Sequence, residues 1–158
     1  MTTSNPNPET ITPNEVEEYT TETTSHADVI ETVISSLDFD DTAMVSHSDS
    51  GTLWKFKYGS VEVYVQITGE TEEDLLTVWS SVLKLPAKDE PGLMRKLLEM
   101  NWSDTFETCF GILNDEVIVL AQRTVADLSP EEISRSITLV ATIADDNDEA
   151  LQEAFGAA

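Results

Sequence analysis

The residues that could carry out catalysis are few and lie far apart in the sequence. The chain contains two histidines, His26 and His47, and a single cysteine, Cys109. His47 has serine neighbours and is followed by Asp49, but neighbours in sequence do not assemble a Ser-His-Asp triad, and no strand-to-helix turn frames a nucleophile here. Cys109 is expected to be a small hydrophobic residue of a strand. We therefore expect that the protein is not an enzyme.

The sequence also lacks metal-ligand residues at the spacing that known metal sites require. Two histidines and one cysteine cannot close a structural zinc site. The acidic run that starts at Asp145 resembles the beginning of a calcium loop, but Ala150 stands where that loop needs glycine, and Gly156 where it needs glutamate. Since the sequence also has no glycine-rich phosphate motif, we expect neither a metal nor a cofactor.

The acidic composition limits the possible partners. The 158 residues include 8 Lys and Arg against 31 Asp and Glu, a net charge of −23. Such a charge repels nucleic acid and anionic lipid, and no apolar run approaches the length of a membrane span. The first basic residue is Lys55, so the N-terminal region lacks the basic pattern of a targeting peptide. We expect a cytoplasmic protein that binds neither nucleic acid nor membrane.

Two hairpins are predicted from alternating apolar residues. In the first, a Gly59-Ser60 turn places Phe56 opposite Val63 and Trp54 opposite Val65. The second turns at Asn114-Asp115. Its register pairs Thr108 with Ala121, Phe110 with Val119 and Ile112 with Val117, and its first strand starts at Phe106.

Three helices are predicted around these hairpins. The first covers 28–37, the second ends at Asn101, and the last begins at Ser129-Pro130, with a hydroxyl N-cap and a glutamate placed to bond back to it. Together these elements indicate an α+β domain, an antiparallel sheet with helices on one side.

The spacing of apolar residues does not fix the secondary structure of four segments. Residues 74–85 fit a strand or a helix, 42–47 suggest a short extended piece, and the acidic run 145–149 either continues the last helix or breaks it. Residues 1–25 are rich in Thr, Glu, Asn and Pro, so we expect a disordered, solubilising tail before a single domain, 26–158.

The elements between Leu85 and Ile133 resemble those of the YbjN domain family, whose fold is that of the type III secretion chaperones. The features that carry the resemblance are Leu85-Pro86, Leu97 to Asn101, Gly111 to Asp115, Val117 to Leu120, and Leu128 to Ile133. The resemblance covers roughly residues 27–154. It implies five strands in the order α-β-β-β-α-β-β-α, with 75–84 as the third strand.

The resemblance also implies a homodimer, with the second helix as its seam. Trp102 follows the predicted end of this helix, where an exposed aromatic side chain would serve a protein contact. The candidate dimer or partner surface is therefore Leu93, Leu97, Met100 and Trp102.

Two functions are compatible with these features. The leading hypothesis is a non-enzymatic, chaperone-like or adaptor protein that binds a partner polypeptide at a sheet edge or in an apolar groove. The alternative is a sensory-transduction or stress-response regulator that acts through a partner or a small ligand, for which a closed pocket would be expected.

Overall fold

The computed structural model describes residues 25–157, and the expected N-terminal tail lies outside this range apart from Ser25, which caps the first helix. The elements are α1 His26–Leu37, β1 Met44–Ser48, β2 Gly51–Tyr58, β3 Val61–Ile67, β4 Leu75–Lys84, α2 Glu90–Ser103, β5 Cys109–Leu113, β6 Glu116–Thr124 and α3 Pro130–Phe155. Among these residues, no helix has both the length and the apolar character needed to cross a membrane.

The sheet has six antiparallel strands in the order β1-β2-β3-β4-β6-β5, so the prediction of five strands was wrong. The extra strand is β1, which includes most of the segment predicted as a short extended piece. Every residue of β1 is exposed. A strand that buries neither face has no alternating pattern, and this is why the sequence indicated a short extended piece there but not a sixth strand of the sheet.

The ambiguous segment is a strand, β4, as the resemblance implied. Its residues alternate between buried and partly exposed, with Leu76 and Val78 facing the core. Ser80 lies on the same buried side, and its hydroxyl donates to the carbonyl oxygen of Glu62 at 2.7 Å. Because a neighbouring strand supplies this acceptor, the polar side chain is buried without loss of hydrogen bonding.

Both hairpins have the predicted register within the strands. Phe56 pairs with Val63 in the first, and Phe110 pairs with Val119 in the second. Asn114 and Asp115 both have positive φ, as a tight two-residue turn requires. The predicted start of the second hairpin was wrong.

Phe106 and Thr108 precede β5 instead of belonging to it. Both the N–H and the hydroxyl of Thr108 bond the carbonyl of Thr105, which makes a local turn. Phe106 has φ 52° and its side chain is exposed. The predicted pair between Thr108 and Ala121 is therefore absent from the β5–β6 ladder.

Helix α3 starts at the predicted cap, where Ser129 accepts from the N–H of Glu132. The Glu132 carboxylate pairs with Arg123 instead of bonding back to the cap. The helix continues for 26 residues, so the acidic run 145–149 lies inside it. Helix α1 packs on α3, and α3 packs on the inner face of the sheet, where the core residues meet.

Helix α2 packs against β5, at one edge of the sheet. It extends to Ser103, with Asp104 as its C-cap, so the predicted end at Asn101 was wrong. Asn101 is instead a helical residue whose side chain bonds the backbone of β5.

Candidate partner-binding surface

The exposed large apolar side chains of the described residues lie at the two edges of the sheet. At the β1 edge they belong to β1 and to the loop that leads into it; at the β5 edge they belong to α2, β5 and the connection between them. The β1-edge residues are Phe39, Met44 and Val45, and the β5-edge residues are Leu98, Trp102, Phe106, Ile112 and Leu113. Exposed apolar residues that gather in this way are typical of interaction surfaces.

At the β5 edge, α2 and β5 form an apolar groove of about 300 Å³. Its floor includes Leu97 and Phe110, both buried, and its rim includes Leu98 and Ile112, both exposed. Trp102 lies one helical turn beyond Leu98 and is 93% exposed. This arrangement can accept an apolar side chain or a short helix.

The backbone of this edge is partly occupied. Asn101 Oδ1 accepts from the Phe110 N–H at 2.7 Å, and Asn101 Nδ2 donates to the Phe110 carbonyl at 3.4 Å. Phe110 therefore has no backbone group free to pair with an added strand. Of the edge-facing positions of β5, Ile112 remains exposed.

Within residues 25–157, β1 pairs only with β2, so its other edge meets no described strand. Strands β1 and β2 are joined by a two-residue turn that pairs Ser48 with Gly51. In such a hairpin, alternate residues bond the partner strand, so Val45 and His47 direct their N–H and C=O groups away from β2. These are the groups with which an extended polypeptide would pair.

The four residues predicted as a contact surface are separated by the structure. Leu93 and Leu97 are 0% and 5% exposed and belong to the hydrophobic core, so neither is available on the surface. Met100 packs against the core and is partly buried. Trp102 alone of the four is fully accessible.

Leu98 is an exposed candidate residue that the sequence interpretation did not include. It follows the buried Leu97 directly, yet it is 69% exposed. Its position four residues before Trp102 was the available signal, since residues four apart share a helix face.

The histidines and the shifted carboxyl groups of the described residues make separate, local contacts. In residues 25–157 no three His, Cys, Asp or Glu side chains gather closely enough to hold a metal ion. His26, the first residue of α1, lies 2.8 Å from Glu70, whereas His47 of β1 lies 3.2 Å from Thr52 of β2. The shifted pKa values have local causes.

Two exposed carboxyl groups have lowered pKa values. Hydrogen bonds from Thr71 and Thr68 lower the pKa of Asp74, and the hydrogen bonds of Arg135 lower the pKa of Glu107. The Asp74 carboxyl bonds Thr68 and Thr71 within the loop between β3 and β4. Glu107 precedes β5 and binds Arg135 on α3, so this pair connects two segments. They are structural ion-pair and turn contacts.

These features describe a small α+β protein with apolar sheet edges and no assembled reactive centre among the described residues. The sequence model of the YbjN family, described as "Putative bacterial sensory transduction regulator", matches residues 26–153. The chain belongs to this family.

The fold recurs in a solved structure, "Crystal Structure of the ExsC-ExsE Complex". The match has a TM-score of 0.56 and 20% sequence identity, and it covers 79% of this chain and 94% of the other. This similarity establishes a shared fold. No curated protein matches the sequence.

Proposed function

We propose that the protein is a non-enzymatic, chaperone-like or adaptor protein that binds a partner polypeptide. The observation that supports this most is the concentration of exposed apolar side chains at the two sheet edges. On a chain with a net charge of −23, such surfaces would select apolar or basic segments and repel acidic ones.

The β1 edge is the proposed site for an extended segment. Strand addition gains main-chain hydrogen bonds from Val45 and His47, and pockets beside the strand read alternate side chains of the partner. Val45 is 50% exposed and neighbours Trp54 across the ladder, so a partner strand would also gain apolar contact.

The groove between α2 and β5 is the proposed second contact. A helix or a bulky side chain laid there would bury Leu98, Trp102 and Ile112 together. Tryptophan is enriched among residues whose truncation weakens interfaces, so Trp102 is expected to contribute most. The ExsC-ExsE structure is, by its own description, a complex, and this supports a polypeptide as the partner of this fold.

A co-purification experiment tests the proposal. Tagged full chain is compared with Val45→Pro, Val45→Ala and Trp102→Ala after incubation in native lysate, and bound proteins are identified by mass spectrometry. Proline removes the outward N–H and is tolerated at an edge, while alanine keeps that N–H and serves as the matched control. Because both variants lose the valine side chain, a difference between them reports backbone pairing.

The proposal predicts a stoichiometric partner that Val45→Ala retains and Val45→Pro loses. Trp102→Ala should weaken the same complex. A chain that starts at Ser25 keeps the α1 cap, so it separates binding by the domain from binding by the preceding residues. Recovery of no partner by any of these chains would contradict the proposal.

The second candidate is a regulator of sensory transduction that acts through a partner or a small ligand, supported by the description of the family. A cavity of about 330 Å³ between the sheet and α3 is lined by residues that include Arg123 and Arg135. Both arginines are paired with glutamates, so an anionic ligand would have to displace a carboxylate. Native mass spectrometry of protein purified without denaturation would reveal such a ligand.

Cytoplasmic localisation and homodimerisation remain predictions. A light-scattering mass of 17.4 kDa at micromolar concentration would contradict the dimer.

A further inference from the structure

Helices α1 and α3 leave a groove between them. Its volume is about 720 Å³, and it is lined from Val29 to Val33 of α1 and from Pro130 to Leu139 of α3. Val29 and Leu139 are partly buried against the hydrophobic core, to which Val33 belongs, so the floor of the groove is apolar. Along α3 the lining extends for about 14 Å, at about 1.5 Å per residue, which is the length of about two and a half turns of a further helix.

The chain enters the fold beside this groove. Ser25 is the N-cap of α1, and its carbonyl accepts from the N–H of Val29, the first residue of α1 that lines the groove, at 3.2 Å. Residues 1–24 precede this point and lie outside the described range. Because they are tethered within one helical turn of the groove, their effective concentration there is high.

Residues 11–19 carry a helix-start signal, although the composition of the N-terminal segment predicts disorder. Thr12 and Glu15 have the spacing of a capping box, and Pro13 stands at the first helical position. The same combination of a hydroxyl cap, proline and glutamate starts α3. The sequence therefore predicts that a helix begins at Pro13.

The predicted helix has one apolar side. Val16 and Tyr19 are three residues apart and share it, whereas Glu17 and Glu18 fall on the other sides. Ile11, which precedes the cap, has the spacing to Val16 of a hydrophobic staple. These apolar side chains would be exposed on a helix without a neighbour.

Such a helix is too short to be stable by itself. The β-branched threonines that follow Tyr19 favour helix poorly, so the prediction covers residues 13–20, about two turns. Isolated helices shorter than about 12–15 residues are marginal in water. The helix thus needs an apolar surface on which to pack, and the groove provides one beside its attachment point.

We propose that residues 13–20 form a helix that docks in the groove between α1 and α3, with Val16 and Tyr19 on the apolar floor. Residues 21–25 make the connection to α1, within the about two to five residues typical of an αα-hairpin. The docked helix runs antiparallel to α1, so its C-terminal end lies beside the N-terminal end of α1, where the helix dipoles attract.

Docking would fill the groove with a segment of the same chain. A partner polypeptide would then meet the two sheet edges and not this groove. The inference does not rest on the proposed partner polypeptide, because the contact lies within one chain.

Nuclear Overhauser spectra of the isotopically labelled full chain test the contact directly. The ring protons of Tyr19 should show cross-peaks to methyl groups of Val29, Val33 or Leu139. A sample that mixes labelled with unlabelled chains separates contacts within one chain from contacts between chains. Cross-peaks within one chain support the proposal, whereas cross-peaks only between chains, or none, would overturn it.

Two charge variants of the segment provide a matched comparison. Tyr19→Glu and Thr21→Glu add the same charge, but position 19 lies on the apolar side and position 21 in the connection. Tyr19→Glu should speed amide hydrogen exchange at Glu17 and Glu18 by about tenfold or more, because the helix undocks and opens. Thr21→Glu should leave these rates within about twofold, and equal effects of the two variants would contradict docking.

A second pair changes the groove instead of the segment. Thr32 lines the groove, whereas Ser36 lies one turn further along α1 and does not, and both hydroxyls bond carbonyls of their own helix. Thr32→Glu should speed exchange at Glu17 and Glu18, and Ser36→Glu should not. Circular dichroism melts show whether each variant is folded. Unchanged exchange in a folded Thr32→Glu variant would place the segment elsewhere and refute the proposal.

Discussion

Asn101 of α2 binds both backbone groups of Phe110 in β5, with the Phe110 N–H 2.7 Å from Asn101 Oδ1 and Asn101 Nδ2 3.4 Å from the Phe110 oxygen. The side-chain amide thus occupies the place of a neighbouring strand at this position. An unpaired strand edge invites further pairing. Asn101 closes the β5 edge at Phe110, whereas no described strand pairs with the outer edge of β1. The two edges are consequently suited to different contacts.

Replacing Asn101 with alanine is expected to lower the free energy of unfolding by about 1–3 kcal/mol, because Phe110 then loses partners for partly buried backbone groups. Urea denaturation measures this change. Asn101→Asp keeps an oxygen acceptor for the Phe110 N–H, so it should lower the free energy of unfolding by less than Asn101→Ala does. A loss for Asn101→Asp as large as that for Asn101→Ala would show that the 2.7 Å bond is not the stabilising one.

This contact also shows where sequence interpretation reached its limit. Asn101 was interpreted from its residue type as the end of a helix, but its role depends on a strand nine residues later. The registers of both hairpins were predictable because turn residues and alternating apolar side chains act within a few positions. A side-chain bond between two elements leaves no comparable periodic signal.

The same difference between local patterns and contacts between elements explains which residues of the candidate partner-binding surface were predictable. The buried stripe of α2 could be recognised from the spacing of Leu93 and Leu97, but spacing alone does not tell which apolar residues remain exposed. Leu98 is adjacent to Leu97, and its exposure is decided by where β5 packs on the helix. The sequence indicated only a short extended piece at β1 for a related reason, because the residues of β1 are stabilised by pairing with β2 and not by burial.

Trp102→Ala is expected to leave the unfolding free energy within about 0.5 kcal/mol of the natural value, since the side chain is 93% exposed. Trp54 offers the contrasting case. It is 3% exposed, and Trp54→Ala should cost about 3–5 kcal/mol. Chemical denaturation of the two variants measures the difference, and a large loss for Trp102→Ala would mean that this residue belongs to the fold instead of a contact surface.

Asp74 is expected to make stability depend on acid pH. Its pKa is lowered in the folded protein by hydrogen bonds from Thr71 and Thr68, so its contribution is complete above its ordinary value of 3.8 and is lost as the pH falls through the lower folded value. Asp74→Asn should therefore reduce stability at neutral pH and flatten the fall in unfolding free energy between about pH 5 and about pH 2. Urea titrations across this range measure both changes.

The pKa of Glu107 is also lowered, because Arg135 donates hydrogen bonds to its carboxylate. The stability of the Asp74→Asn variant should therefore still fall to some extent at acid pH. Glu107→Gln in the same background should remove more of this fall. If the pH profiles of Asp74→Asn and the natural protein had the same slope, the Thr68 and Thr71 contacts would not stabilise the charged form of Asp74.

The buried carboxylate of Asp148 gives the last prediction. Asp148 lies on the inner side of α3 and is 4% exposed. The Ser60 hydroxyl donates to its Oδ2 at 2.8 Å, while its Oδ1 is buried and receives no hydrogen bond from the described residues. Ser60 also donates its N–H to Asp145 at 2.9 Å, which ties the β2–β3 turn to the helix.

Ser60→Ala should destabilise the fold by about 1–3 kcal/mol, because both oxygens of Asp148 would then be buried without a partner. The N–H bond to Asp145 survives this change, so the loss reports the hydroxyl. In a Ser60→Ala, Asp148→Ala double variant, the loss of unfolding free energy should be smaller than the sum of the two single losses. Without the Asp148 carboxylate, no buried oxygen is left without a hydrogen-bond donor. Additive costs in urea denaturation would show that the two side chains are not coupled.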